Sequence, residues 1–284
     1  MLILVPIIEN RPFEKNGEKN KKKVCSKLRH KQESYQTVAI QDVTQDYLLG
    51  GKVAIRQPTH GYRVAIDPVF LAASVCAEPG ETVLDIGAGV GAASLCLARR
   101  LPQVRVTGLE IQRDMLKLAV DNITLNDLRG RVEMLHGDLT APPPRLAAGT
   151  FAHVMTNPPY LEAAKGNPSP HEGKQTSHME SSATLERWAK FSLLMVRPKG
   201  TITFIHRADR LDQILALFSG KVGEVTIYPL WPGKDKPAKR VLIRVRKNSN
   251  APMTLLPGMM LHDFQGRFTP EADYILRDGV GLVW

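Results

Sequence analysis

From about Thr37 onward the chain alternates short β-branched and apolar runs with longer amphipathic segments. Thr82 to Ile86 reads as a buried strand, Gly87 to Gly91 as a tight loop, and Ala92 to Leu101 as a helix stopped by Pro102. Val104 to Leu109 is a second strand. Asp114 to Asn126, with Met115, Leu118, Ala119, Ile123 and Leu125 at near-helical spacing, is a helix, and Arg131 to Leu135 is a third strand. Phe151 to Thr156 forms a fourth strand that runs straight into Asn157-Pro158-Pro159-Tyr160. Leu185 to Met195 and Arg210 to Phe218 read as helices, with a strand at Thr201 to Ile205 between them and further strands at Val225 to Tyr228 and Val241 to Val245. Near the end, Thr269-Pro270 and Gly279 bracket a short helix with a cap, a first-turn proline and a glycine stop.

This alternation predicts an α/β fold with a mainly parallel, Rossmann-like sheet covered on both faces. Three parts are expected: a polar, Lys-rich segment over 1–36 that is disordered in isolation, a catalytic domain over 37–248, and a C-terminal extension over 249–284. No apolar run approaches the length of a membrane span, and the opening Met1 to Ile8 run lacks the features of a secretory signal, so a cytoplasmic protein is expected. Cys25, Cys76 and Cys96 are odd in number and far apart, and the histidines are scattered. Neither a disulfide framework nor a metal site is expected.

Net charge is informative once divided along the chain. Residues 1–63 carry 12 Lys+Arg against 6 Asp+Glu, residues 64–220 carry 16 against 16, and residues 221–284 carry 10 against 6. A neutral middle with basic ends suits a catalytic core flanked by surfaces that neutralise phosphates. Lys165 and Lys174, in the long polar loop after the tetrapeptide, and Lys236, Lys239 and Arg240 are the candidate phosphate contacts.

The Asp85-Ile86-Gly87-Ala88-Gly89-Val90-Gly91 turn joins a buried strand to a helix. Its glycines let a ligand lie directly on the backbone. Glu110 at the end of the second strand is placed to accept two ribose hydroxyls, Ile111 to cover an adenine face, and Asp138, followed by Leu139, to accept from the adenine amino group. These residues argue for an adenosine-bearing cofactor. On this motif alone, S-adenosylmethionine and a nicotinamide dinucleotide both remain open.

Asn157-Pro158-Pro159-Tyr160 favours the first. Two prolines stiffen the backbone leaving the fourth strand and direct its carbonyls into the cleft. An exocyclic amine is a poor nucleophile because its lone pair is delocalised into the ring. The Asn157 side-chain oxygen and the Pro158 carbonyl can each accept one N–H and orient that pair, while Tyr160 offers a ring for base stacking.

Together, Asp85 to Gly91 and Asn157 to Tyr160 resemble the amino-group branch of class I methyltransferases. Leu48-Leu49-Gly50-Gly51-Lys52, Gln57-Pro58, Gly61-Tyr62-Arg63 and Asp67-Pro68 resemble, more narrowly, the bacterial tRNA(Val) adenine N6-methyltransferase family, which modifies the adenine just after the anticodon. The likeness extends into Lys236-Pro237-Ala238-Lys239-Arg240, whereas the Lys-rich segment before Thr37 departs from it. The resemblance implies a seven-stranded sheet of order 3-2-1-4-5-7-6, S-adenosylmethionine as cofactor, tRNA or another structured RNA as partner, and Tyr62, Arg63 and Asp67 near the methionine end of the cofactor. Physically, Arg63 could pair with that carboxylate. Other planar amines remain as alternative targets: a guanine N2 in ribosomal RNA, an adenine in DNA, or a protein glutamine. A cofactor-binding module without catalysis is a further alternative.

Overall fold

A computed structural model describes residues 42–61, 63–160 and 184–284. The basic segment over 1–36, Tyr62, and the loop carrying Lys165 and Lys174 lie outside the described residues.

Two strands open the described chain as an antiparallel hairpin, β1 (Val43–Leu48) and β2 (Val53–Pro58). Helix α1 (Asp67–Ser74) follows, started by Pro68 in its first turn, where a missing N–H costs nothing. Then come β3 (Thr82–Ile86), α2 (Ala92–Arg100), β4 (Arg105–Glu110), α3 (Arg113–Leu125), β5 (Val132–His136) and β6 (Phe151–Thr156). After the undescribed loop, α4 (Leu185–Met195), β7 (Val196–Arg207), α5 (Leu211–Phe218), β8 (Val222–Trp231) and β9 (Arg240–Lys247) complete the main sheet.

The seven long strands lie in the order β5-β4-β3-β6-β7-β9-β8, with β9 antiparallel to both neighbours and the other six running in one direction. This is the expected 3-2-1-4-5-7-6 arrangement. The sheet is larger than expected by two short strands, β10 (Thr254–Leu255) and β11 (Met259–Met260), both parallel to β8. The C-terminal segment is thereby paired into the sheet edge. Its last helix, α6 (Pro270–Asp273), has the expected cap, Thr269 Oγ1 accepting from the Ala272 amide, and continues as a π-helical turn to Gly279, whose φ is 71°. Ala272, Ile275 and Leu282 are buried with α1 and α2 on one face of the sheet, while α4 and α5 cover the other.

The hairpin attaches through an uncommon polar device. Asn122 and Asn126, one helical turn apart, present side-chain amides to the free edge of β2 and pair with the backbone N–H and C=O of Arg56 and Ala54 at 2.6–2.9 Å. They act as a short third strand and satisfy groups that burial would otherwise leave unpaired.

The chain order reverses between β3 and β6, which are hydrogen-bonded neighbours. In open α/β sheets the crevice beyond such a reversal, at the carboxyl ends of the strands, is where ligands bind. Both motifs found in the sequence leave the sheet there.

Candidate functional site

The loop from Gly87 to Gly91 turns on three left-handed glycines, with φ of 71°, 56° and 87° at Gly87, Gly89 and Gly91. The amides of Gly87 and Ala88 both donate to the Leu109 carbonyl at 2.8 and 3.0 Å, which locks the turn against the end of β4. The glycines serve different ends. A side chain at Gly87 would meet the Trp188 ring, 2.5 Å from Cη2, whereas at Gly89 nothing lies within 4 Å. Gly87 therefore lets α4 pack beneath the loop, and Gly89 faces open space where a ligand can approach the backbone.

Glu110 is buried at the tip of β4. Its two oxygens each accept an amide at 2.8 Å, Oε2 from Gly89 and Oε1 from Gln112. Burial raises its pKa, and the amides of Gln112, Gly89 and Ile111 oppose that rise. Behind it, Asp85 accepts from the Ser94 hydroxyl at 2.7 Å and is fully enclosed. Its carboxyl is pushed up to about 7, chiefly by burial, with the neighbouring Glu110 charge adding to the effect and Ser94 opposing it. Asp138 caps the turn after β5 by accepting from the Thr140 amide at 2.7 Å and is half-buried. Leu139 packs against the α4 side of the core, and Ile111 is 40% exposed on the rim, its carbonyl 2.9 Å from His136 Nε2.

These residues fit an adenosine-bearing cofactor. Glu110 is a fixed acceptor whose remaining lone pairs suit a diol, the Gly89 backbone is open to approach, and Ile111 supplies an apolar surface at the rim.

The Asn157-Pro158-Pro159-Tyr160 tetrapeptide stands beside this loop. Thr156 Oγ1 donates to the Ile86 carbonyl at 2.9 Å, tying the last residue of β6 to the last residue of β3. Asn157 consequently leaves the sheet next to Gly87, and Pro158 is buried. The Tyr160 hydroxyl donates to Asp67 Oδ2 at 2.6 Å and lies 3.3 Å from Asn157 Oδ1. Arg240 Nε donates to the same Asp67 oxygen at 2.8 Å, and its guanidinium lies 4.7 Å from the centre of the Tyr160 ring. Burial works to lower the Arg240 pKa, but its bond to Asp67 and that residue's charge outweigh it, so the net shift is upward.

Two of the candidate residues have internal partners that the sequence did not suggest. Arg240, a candidate RNA contact, is an internal partner of Asp67, whereas Lys236 and Lys239 are exposed. Arg63 is bound to the hairpin, with Nη2 on Asp46 Oδ2 at 2.8 Å and Nη1 on Thr44 Oγ1 at 3.0 Å. Pairing with a cofactor carboxylate would require it to share or leave these partners.

Two members of the site carry no sequence signal. Trp188 supports Gly87 from α4, and His206 of β7 packs edge-on against Tyr160 with ring centroids 5.0 Å apart and an 86° interplanar angle. Both nitrogens of His206 are buried without a hydrogen-bond partner. Burial pushes its pKa down to about 4; the Arg207 backbone opposes this, and the charges of Arg210, Arg207 and Arg240 reinforce it. His206 is therefore neutral near pH 7. Among the described residues, no group of three or more His, Cys, Asp or Glu side chains could hold a metal ion, and no helix is long and apolar enough to cross a membrane.

Comparison with known proteins agrees with this geometry. Residues 66–174 match the model of the methyltransferase small domain. The chain is 27% identical over 210 residues to the tRNA1(Val) (adenine(37)-N6)-methyltransferase of Vibrio cholerae serotype O1 (strain M66-2), covering 70% of this chain and 82% of that protein. It is 27% identical over 225 residues to the enzyme of the same name from Porphyromonas gingivalis, covering 74% and 85%. Among solved structures, a "predicted O-methyltransferase" from Agrobacterium tumefaciens aligns with a TM-score of 0.64 and 25% identity over 76% of this chain and 98% of that one. TYW2 of P. horikoshii, solved in complex with MeSAdo, shares the fold with a TM-score of 0.51 and 15% identity, over 73% and 72%. Sequence motifs, strand order and relatives converge: the chain has the class I methyltransferase fold and is an S-adenosylmethionine-dependent methyltransferase.

Proposed function

We propose that this methyltransferase modifies the N6 amino group of an adenine in tRNA, and specifically adenine 37 of tRNA1(Val). The observation that carries the reading is the position of Asn157-Pro158-Pro159-Tyr160, held against the glycine loop by the Thr156 bond to Ile86. The names of the relatives and the basic ends of the chain supply the substrate.

S-adenosylmethionine, when bound, supplies an electrophilic methyl group on a sulfonium. The cradle of Glu110, Gly89, Ile111 and Asp138 would hold its adenosine. For the amine, Asn157 Oδ1 and the Pro158 carbonyl are acceptors for its two N–H groups, which turns the nitrogen lone pair out of conjugation and toward the methyl. Tyr160, whose hydroxyl is fixed on Asp67, gives the base a ring plane set by the fold. Once the new N–C bond forms, the nitrogen is acidic enough to lose a proton to water, so no tuned base is needed. An adenine in an unpaired loop is a suitable substrate because turning it into the pocket costs less there than in a duplex.

The test is transfer of labelled methyl from S-adenosylmethionine to total unmodified tRNA, followed by nucleoside analysis, with Asn157→Ala as control. Label in N6-methyladenosine that disappears in the variant supports the reading. Label confined to another nucleoside, or to a polypeptide that survives ribonuclease, contradicts it.

A further inference from the structure

The active-site edge of the sheet continues sideways from Tyr160 into two loops. The first, between β8 and β9, carries Lys234, Lys236 and Lys239, and the second, between β11 and α6, carries Phe264. Both start from neighbouring strand ends, because Met260 pairs with Trp231 and the Leu261 amide donates to the Trp231 carbonyl at 2.7 Å. His262 joins them, its Nδ1 3.0 Å from the Pro232 carbonyl and its ring stacked on Phe268 at 4.8 Å.

The turn bearing Phe264 is tightly built. The Asp263 amide donates to the Arg267 carbonyl at 2.8 Å, and the Asp263 carboxylate accepts the amides of Gln265 and Arg267 and the Arg267 guanidinium. The turn is thus closed around Asp263, yet Phe264 at its tip is 89% exposed. Lys234 Nζ stands 5.8 Å from the centre of that ring. Lys234, Lys236 and Lys239 are exposed, and none of them is in an ion pair among the described residues.

We propose that Phe264 is a stacking platform for an unpaired base of the RNA substrate, with Lys234, Lys236 and Lys239 neutralising the phosphates between that base and the reacting one. The inference rests on the RNA reading above and extends it to a second contact point. A rigid exposed aromatic beside unpaired cations is the combination that binds single-stranded nucleic acid, since every base has a face to stack and every nucleotide a phosphate. A polypeptide partner would give the lysines no regular array of anions. Four strand spacings, from β6 across β7, β9 and β8 to β11, span about 19 Å of sheet edge between the strand ends from which the two rings depart. Lys239 immediately precedes Arg240, so the first cation of this track adjoins the residue whose guanidinium lies against Tyr160.

The test compares the full chain with Phe264→Ala in methyl transfer to an unmodified tRNA1(Val) transcript, at several salt concentrations. Phe264 is a surface residue, so its loss leaves the fold intact. The expected result is a rise in KM for RNA of about 5- to 100-fold with kcat and the KM for S-adenosylmethionine unchanged, and recovery in Phe264→Trp. In Lys236→Gln and Lys239→Gln, the slope of log affinity against log salt should fall by about 0.7–0.9 per lysine. An active parent whose KM for RNA is unaltered in Phe264→Ala would overturn the platform and leave the RNA reading standing. A parent that transfers no methyl to RNA would overturn both.

Discussion

The hydroxyl of Tyr160 donates to the Asp67 carboxylate at 2.6 Å, joining the last residue of the Asn157-Pro158-Pro159-Tyr160 tetrapeptide to the first residue of α1. Because Arg240 binds the same oxygen and lies against the Tyr160 ring, three elements far apart in the chain fix one aromatic plane. Asp67→Asn should weaken both interactions, and Tyr160→Phe only one. In a double-mutant cycle on thermal stability, the Asp67→Asn and Tyr160→Phe pair should show a coupling of about 1 kcal/mol or more, as contacting polar groups do. Additivity within roughly 0.3 kcal/mol, the limit for independent sites, would show the bond to be unimportant.

Asp85 gives a dependence of stability on pH. Its folded-state pKa of about 7 lies above the ordinary 3.8, so the fold favours the protonated form. Its contribution is fully present below about pH 4 and is lost as the pH rises through 7, by up to about 4 kcal/mol. Asp85→Asn retains an acceptor for Ser94 and removes the charge. The advantage of the cofactor-free variant over its parent in thermal midpoint should be smallest near pH 4, grow as the pH rises to about 7 and level off above that. A constant difference across that range would contradict the assignment.

His206 acts in the opposite sense. Its folded-state pKa of about 4 lies below the ordinary 6.5, so its contribution is present above 6.5 and lost as the pH falls through 4. The slopes of His206 and Asp85 therefore oppose each other in the parent and become visible only when each is removed singly. His206→Phe keeps a ring against Tyr160 and eliminates two unpaired buried nitrogens. The variant should equal or exceed its parent in thermal midpoint at pH 7 and gain further at pH 5. A loss of more than about 2 kcal/mol at pH 7 would mean that the imidazole has a partner it needs.

Gly87 and Gly89 should respond differently to alanine. Both carry positive φ, which costs an alanine roughly 1 kcal/mol. At Gly87 the added methyl also strikes the Trp188 ring, so Gly87→Ala should be destabilised by several kcal/mol and lose structure around α4. Gly89→Ala meets no protein atom and should fold. Its effect belongs to the cofactor, as a rise of about tenfold or more in the KM for S-adenosylmethionine. Chemical denaturation of the two variants beside cofactor titration of Gly89→Ala checks both halves.

Much of this architecture is legible in local patterns because β3, β6 and α4 have apolar runs bounded by glycine, proline or capping residues, and each begins and ends where those signals stand. Helix α1 is not visible in that way. All eight of its residues are buried, so it has no polar face and no amphipathic period to detect. The β1–β2 hairpin is equally hidden, since one edge of β2 is satisfied by Asn122 and Asn126 side chains rather than by a strand. Glu110 could be anticipated from its distance to the glycine loop. Arg240 could not, because its charge resembles any other in a basic stretch until the sheet brings it to Asp67, 173 positions away. Trp188 and His206 are likewise single residues whose roles arise only from what the fold places opposite them.

The central claim is tested most directly by methyl transfer to two unmodified tRNA1(Val) transcripts that differ only in carrying adenine or guanine at position 37, with the methylated nucleotide mapped by mass spectrometry. The account predicts one N6-methyladenosine at position 37 of the first transcript and no incorporation into the second. Equal incorporation into both, or methylation at a different position, would contradict it.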